Sequence, residues 1–170
     1  MKKYKGSLIS LKLRSRRIPV DGVVIDYDAD WTLVRYNPVD YVLDGYALVN
    51  NNKVKGFQRT KEELFKEKII KLKTRFSSDA DICYSLKNII DRLTSQDDLV
   101  QIETNSESVT YVGYASLIKE GVISLSSINP NGRKGKKMII PVDEIRTIQY
   151  ENDYLTSLKV YIEHVKSKKK

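Results

Sequence analysis

Cysteine and histidine are nearly absent from this chain: one of each stands among 170 residues. A single cysteine cannot build a disulfide framework, and one Cys with one His cannot supply a zinc site, so neither staple holds the fold. A lone thiol suits a reducing compartment, and a soluble cytoplasmic protein is expected. Four Pro and eight Gly leave no room for a long low-complexity linker, so two domains would have to be closely joined. Long apolar runs are missing too. The chain begins Met1-Lys2-Lys3 like a secretion signal, but Lys12 and Arg14 interrupt the run from Leu8 to Leu13 before an apolar segment forms. No stretch reaches the roughly 20 apolar residues that a membrane helix needs.

What is present is enough to fold: 41% of residues are hydrophobic. The net charge of +8 is unevenly spread. Residues 1–78 hold 17 Lys and Arg against 9 Asp and Glu, whereas residues 79–170 hold 13 against 13. Within residues 1–17, Lys2, Lys3, Lys5, Lys12, Arg14, Arg16 and Arg17 face no acid at all. Such a local field attracts phosphate backbones or an acidic protein face. The tail, Lys166 to Lys170, reads as a solvated basic end.

The chain repeats itself at a spacing of 91 residues. Ile9 and Leu11 fall on Val100 and Ile102, Gly22 on Gly113, Val54 and Phe57 on Ile145 and Ile148, and Lys68-Ile69-Ile70 on Lys159-Val160-Tyr161. Asn37-Pro38 recurs as Asn129-Pro130 one residue out of step, as a loop in diverged copies would. Alternation and β-branched runs predict five short strands per copy. In the first these are Ile9 to Leu13, Val23 to Ile25, Trp31 to Tyr36, Tyr46 to Val49 and Val54 to Phe57. In the second they are Leu99 to Glu103, Val109 to Leu117, Val122 to Ser127, Met138 to Ile140 and Ile145 to Tyr150. Asn50-Asn51-Asn52 and Asn129-Pro130-Asn131-Gly132 supply turns. Five short strands suit a small closed barrel, since closure removes exposed edges.

Helical periodicity accounts for the remainder. Lys61 to Leu72 places Leu64, Phe65, Ile69 and Leu72 on one stripe, and Thr60 with Glu63 forms a capping box. Residues 79–93 carry Ile82, Leu86, Ile89 and Leu93 on one face, and Tyr154, Leu158, Tyr161 and Val165 mark a terminal helix. The expected domains are residues 1–76, a barrel plus helix, and residues 77–170, a helix, a second barrel and a terminal helix with its basic tail.

Gly22, Val24, Tyr27, Asp28, Trp31 and Leu33 follow one another with the spacing of the first motif of the Sm-like (LSm) family, with Thr32 where Asn is usual. Val54-Lys55-Gly56 echoes the second motif, an apolar residue before Arg-Gly. The first copy thus resembles an Sm-like barrel. The second keeps Gly113 but has Lys119 at the Asp position and Arg146-Thr147 at the Arg-Gly position, so only its fold is similar. The resemblance implies a mainly β protein with helices (α+β): two tandem five-stranded Sm-like, SH3-like β-barrels, each followed by a helix. It also implies that Trp31, Thr32 and Lys55 hold one base of single-stranded RNA. An indole there reads equally as a stacking platform or as a core aromatic. Linked copies can satisfy one edge each, which predicts a monomer or dimer.

No catalytic constellation stands out. His164 has no nucleophile context and reads as an exposed helix residue, and Cys83 belongs to an apolar stripe. Asp26, Asp28 and Asp30 start like a calcium loop, but Trp31 and Asn37 replace its Gly and Glu, so no EF-hand is expected. Gly132 to Lys137 lacks the spacing of a phosphate loop and reads as a basic hairpin tip. In a regular strand Lys12, Arg14 and Arg16 would project from one face at about 6.5 to 7 Å spacing, either to meet phosphates or to protect an edge. A non-enzymatic binding protein without cofactor or metal is expected. RNA is its leading partner, and the alternative is a protein-interaction module, an adaptor or toxin-neutralising type, that meets an acidic protein.

Overall fold

The computed structural model describes residues 2–73, 85–105, 109–119 and 121–168. The chain divides into two compact units, Met1–Ser85 and Leu86–Lys170. The domain boundary expected at residue 76 lies outside the described residues. The class is mainly β with helices, α+β, as the sequence indicates.

In the first unit a 3-10 turn, Lys2–Tyr4, precedes β1 (Leu8–Leu13), β2 (Val20–Tyr27), β3 (Trp31–Tyr36) and β4 (Tyr46–Asn50). A second 3-10 turn, Asn51–Lys53, leads into β5 (Val54–Gln58) and then α1 (Lys61–Lys73). The second unit opens with α2 (Leu86–Ser95). It continues through β6 (Leu99–Thr104), β7 (Thr110–Lys119), β8 (Val122–Ile128), β9 (Lys134–Pro141), a 3-10 turn Val142–Glu144, β10 (Ile145–Tyr150) and α3 (Asp153–Ser167). Both units have the same antiparallel strand order, β5-β1-β2-β3-β4 and β10-β6-β7-β8-β9.

The 91-residue repeat reaches down to single backbone pairs. Leu8 pairs with Val23 and Leu99 with Tyr114; Leu11 pairs with Phe57 and Ile102 with Ile148. The bulge that shifts register between Lys12 and Leu13 recurs between Ile145 and Thr147, opposite Thr104 and Glu103. Gly22 and Gly113, also 91 apart, are both points of close strand approach. A Cβ on Gly22 would stand 2.7 Å from the Val34 side chain and 2.8 Å from the Arg35 carbonyl, and one on Gly113 would collide with the Ser126 carbonyl. Only glycine fits where one backbone presses on the next.

The first core gathers Ile9, Leu11, Leu13, Val20, Val24, Val34, Ala47 and Val49, with Tyr4 and Val54 against it. Each Val, Leu or Ile among them contributes roughly 1.5 to 3 kcal/mol when fully buried. In the second unit Leu155, Leu158 and Ile162 of α3 pack with Leu99 and Ile128. α2 packs on β7, where the Thr94 hydroxyl lies 2.7 Å from the Ala115 carbonyl oxygen.

The helices correct the faces expected on α1 and α3, while Ile89 and Leu93 of α2 are buried as expected. On α1, Leu64, Phe65 and Leu72 are exposed, at 49%, 58% and 79%, and Ile69 is half-buried, while Glu63, Glu67 and Ile70 face inward. Polar anchorage outweighs the apolar stripe. Glu67 Oε2 accepts the Leu8 N–H and an Arg59 N–H, both at 2.8 Å, and Lys71 donates to Oε1. Glu63 accepts both the N–H and the hydroxyl of Thr60, which forms the expected capping box. α2 buries Ile89, Ile90 and Leu93 and leaves Leu86 half-buried at its first turn; Ile82 and Cys83 lie outside the described residues. On α3 the buried stripe is Leu155, Leu158 and Ile162, with Tyr154 and Tyr161 exposed. Its start is fixed by Asn152, whose Oδ1 accepts the Leu155 N–H at 2.9 Å.

Candidate nucleic-acid interface

The residues that the Sm-like resemblance singles out divide into a buried pair and an exposed one. Trp31 opens β3 after a turn in which Asp28 Oδ1 accepts the N–H groups of Asp30, at 2.8 Å, and Trp31, at 2.7 Å. The acids that mimic a calcium loop thus build a strand connection instead. Trp31 is 5% exposed and Thr32 fully buried. The Thr32 hydroxyl donates to Asn51 Oδ1 at 2.6 Å, and the Asn51 amide donates onward to the carbonyls of Asp28 and Ala29. Neither an open indole face nor a spare hydroxyl is offered to a base there, so Trp31 takes the core reading. Lys55, by contrast, is exposed on β5.

The basic strand is corrected as well. β1 ends at Leu13, and Ser15 sits at φ 51°, a left-handed conformation that breaks strand alternation. Arg14 therefore lies exposed in a turn and Arg16 half-buried beyond it, and neither extends the row begun by Lys12. A different grouping takes its place. Lys12 pairs with Gly56 and Leu13 with Val54, with Lys55 bulged between, and the Arg14 N–H donates to the Lys53 carbonyl at 2.8 Å. Lys12, Arg14, Lys53 and Lys55 come together at one end of the β1–β5 pair. Among the described residues Lys12, Lys53 and Lys55 have no ion-pair partner, whereas Lys5 pairs with Asp26 at 3.1 Å. On the same strand pair Phe57, 42% exposed, meets Tyr4 edge to face at 5.0 Å. Sequence reasoning gave neither aromatic a role.

The second unit holds a cleft that sequence reasoning missed. The β8–β9 turn is braced by Asn129, whose Oδ1 accepts the N–H groups of Asn131 at 3.0 Å and Arg133 at 2.9 Å. Gly132, at φ 72°, is pressed onto α3: a Cβ there would stand 3.0 Å from the Tyr161 ring. β9 begins at Lys134, so the expected basic hairpin tip is partly strand, with Lys134, Lys136 and Lys137 exposed along it. Between turn and helix lies a cleft of about 470 Å³, lined by Tyr114, Ile128, Arg133, Lys134, Tyr161 and Lys166 among others. A second cleft of about 530 Å³ shares Asn131, Arg133 and Tyr161 and adds Tyr154. Burial, then the nearby Asp97 charge, raises the Tyr114 hydroxyl above its ordinary pKa, so it remains a neutral phenol. Lys159, on the same helix as Tyr161, is held by Asp98, whose hydrogen bond raises its pKa.

Among the described residues no group of His, Cys, Asp and Glu is placed to hold a metal ion, and no helix is long and apolar enough to cross a membrane. Compared with family models, curated proteins and solved structures, the chain matches none.

Proposed function

We propose that this is a non-enzymatic nucleic-acid-binding protein, with single-stranded RNA as its partner, built from two Sm-like barrels of which the first supplies the principal phosphate-binding surface. The observation that carries the reading is the group Lys12, Arg14, Lys53 and Lys55, gathered by the β1–β5 register with no carboxylate paired to its three lysines among the described residues. Lysines clustered without a paired carboxylate attract a polyanion, and the charge excess of residues 1–78 extends their field. The shared strand order, bulge and glycine pinch support the barrel reading of both units.

Fluorescence anisotropy with a labelled fifteen-nucleotide RNA tests it. Affinity should fall with salt at a log-log slope of about −0.7 per phosphate neutralised, and Lys12→Glu with Lys55→Glu should remove about 1.4 from that slope. Absence of binding at low salt would end the reading.

One observation favours a protein partner instead. α1 exposes Leu64, Phe65 and Leu72 beside exposed Val39, Tyr41 and Val42, with Tyr41 edge to face on Phe65 at 6.4 Å. A contiguous apolar face of this kind marks protein contact. Absorbance at 260 nm of the protein purified from cells separates the two. Salt-removable nucleic acid supports the first reading, and a co-purifying acidic polypeptide the second.

A further inference from the structure

The place that the cleft occupies in the second unit is lined in the first, among the described residues, by packed apolar side chains. Tyr114 and Tyr161 stand 91 residues after Val23 and Ile70, which are buried with Leu8 in a closed cluster. In the second unit the same two positions carry tyrosines beside a cleft of about 470 Å³, and Tyr161 is 53% exposed. Three cations, Arg133, Lys134 and Lys166, line that cleft, and no side chain of the three has an ion-pair or hydrogen-bond partner among the described residues. The acids whose charges reach Tyr114 are Asp97, Glu163 and Asp98; the first two are exposed and the third is paired with Lys159.

We infer that this cleft is a second, base-stacking site for single-stranded nucleic acid, in which a nucleobase lies against Tyr161 and the flanking phosphates meet Arg133, Lys134 and Lys166. Shape and charge select this ligand together. The volume falls within the range of about 300 to 1,000 Å³ typical of small-ligand sites, and its lining combines aromatic and aliphatic groups with cations. An unpaired nucleotide matches that combination: a planar apolar face, and an anion a few ångströms away. A base in a duplex is already stacked and cannot enter. The platform is also held in advance, because the turn bearing Arg133 is locked by Asn129 and seated on Tyr161 through Gly132. The adjoining cleft, with Tyr154 and the same Arg133, continues the track for a neighbouring nucleotide.

The inference rests on the nucleic-acid reading above, so its test must separate the two. The full chain is titrated with labelled U15, alone and against polyglutamate of equal charge, and crosslinked to a 4-thiouridine oligonucleotide. Tyr161→Ala should weaken binding about tenfold with little change in salt slope, whereas Tyr161→Phe should retain it. Arg133→Glu with Lys166→Glu should instead lower the slope by about 1.4. Crosslinks should fall in the peptides around residues 128–134 or 154–166. Because Tyr161 is half in solvent, its truncation should leave the circular-dichroism melt unchanged. The inference is overturned, with the first-unit reading intact, if the cleft variants bind as wild type while Lys12→Glu with Lys55→Glu does not. It is also overturned if polyglutamate displaces U15 as well as RNA does. If wild-type protein binds no RNA, both readings fall.

Discussion

α1 and α3 occupy the same place in the repeat, after the fifth strand of each unit, yet they are seated by opposite chemistry. Glu67 and Leu158 stand at equivalent positions. The first is a carboxylate tied to the Leu8 N–H, Arg59 and Lys71; the second is an apolar side chain packed with Leu99 and Ile128. α1 consequently turns Leu64 and Phe65 outward, while α3 turns out Tyr154 and Tyr161. The strands did not diverge in this way, since their pairing, bulge and glycine pinch coincide at the repeat spacing. A register fixed by backbone contact leaves the helix face free to change, and the surface on offer changes with it.

The shared scaffold can be broken most severely at its pinch points. Gly113→Val forces a side chain into the Ser126 carbonyl and should cost about 3 kcal/mol or more, as should Gly22→Val in the first unit. Urea unfolding of each variant checks this, and tolerance of either change would mean that the strands are not pressed together there. Next in size, Leu158→Ala should cost about 2 to 5 kcal/mol at any pH. Glu67→Ala should cost about 2 to 3 kcal/mol at neutral pH, because it strands a buried backbone N–H and a partly buried Arg59.

Acid sharpens the contrast between the helices. Burial alone would raise the Glu67 pKa, but hydrogen bonds from Lys71 and Leu8 with the charges of Lys71 and Arg59 outweigh it and hold the carboxyl below its ordinary value. For Glu63 burial is likewise outweighed, there by the Thr60 hydroxyl and N–H. A carboxyl whose folded pKa is depressed gives stability that is complete above its unfolded pKa and lost as pH falls through the folded one. The first unit should therefore lose stability below about pH 4.5, an effect that Glu67→Gln removes in part. The buried stripe that seats α3, Leu155, Leu158 and Ile162, carries no titratable group. The smallest effect belongs to α2: Leu86→Ala should cost under about 1 kcal/mol, against about 2 to 5 for Ile90→Ala, since only the latter side chain is fully buried.

Strands were legible in the sequence because alternation and β-branching are local signals; Trp31 to Tyr36 and Ile145 to Tyr150 coincide with β3 and β10. The faces of α1 and α3 were not, because two overlapping stripes fit each of these helices and the choice lies in distant partners. Leu8, which helps to hold Glu67, is 59 residues away. One clue was present: a capping-box Glu63 turned toward Thr60 carries Glu67, one turn later, to the same side. On α3 the stripe from Leu155 through Leu158 to Ile162 competes with the tyrosines, and the cleft they border depends on how the Asn129 turn meets the helix. The site residues fared similarly. Lys12 and Lys55 are surface cations as expected, but Ser15 bends the chain before Arg16 can join them, and Trp31 lies buried.

The central claim is that the two units present different nucleic-acid-binding faces on one repeated scaffold, and an NMR titration of the isotope-labelled chain with U15 tests it most directly. The account predicts two separate groups of shifting amides at low salt, one around Lys12, Arg14, Lys53 and Lys55 and the other around Arg133, Lys134, Tyr161 and Lys166, with α1 residues Leu64 to Leu72 unmoved. Shifts confined to that α1 face, or none at all, would contradict it.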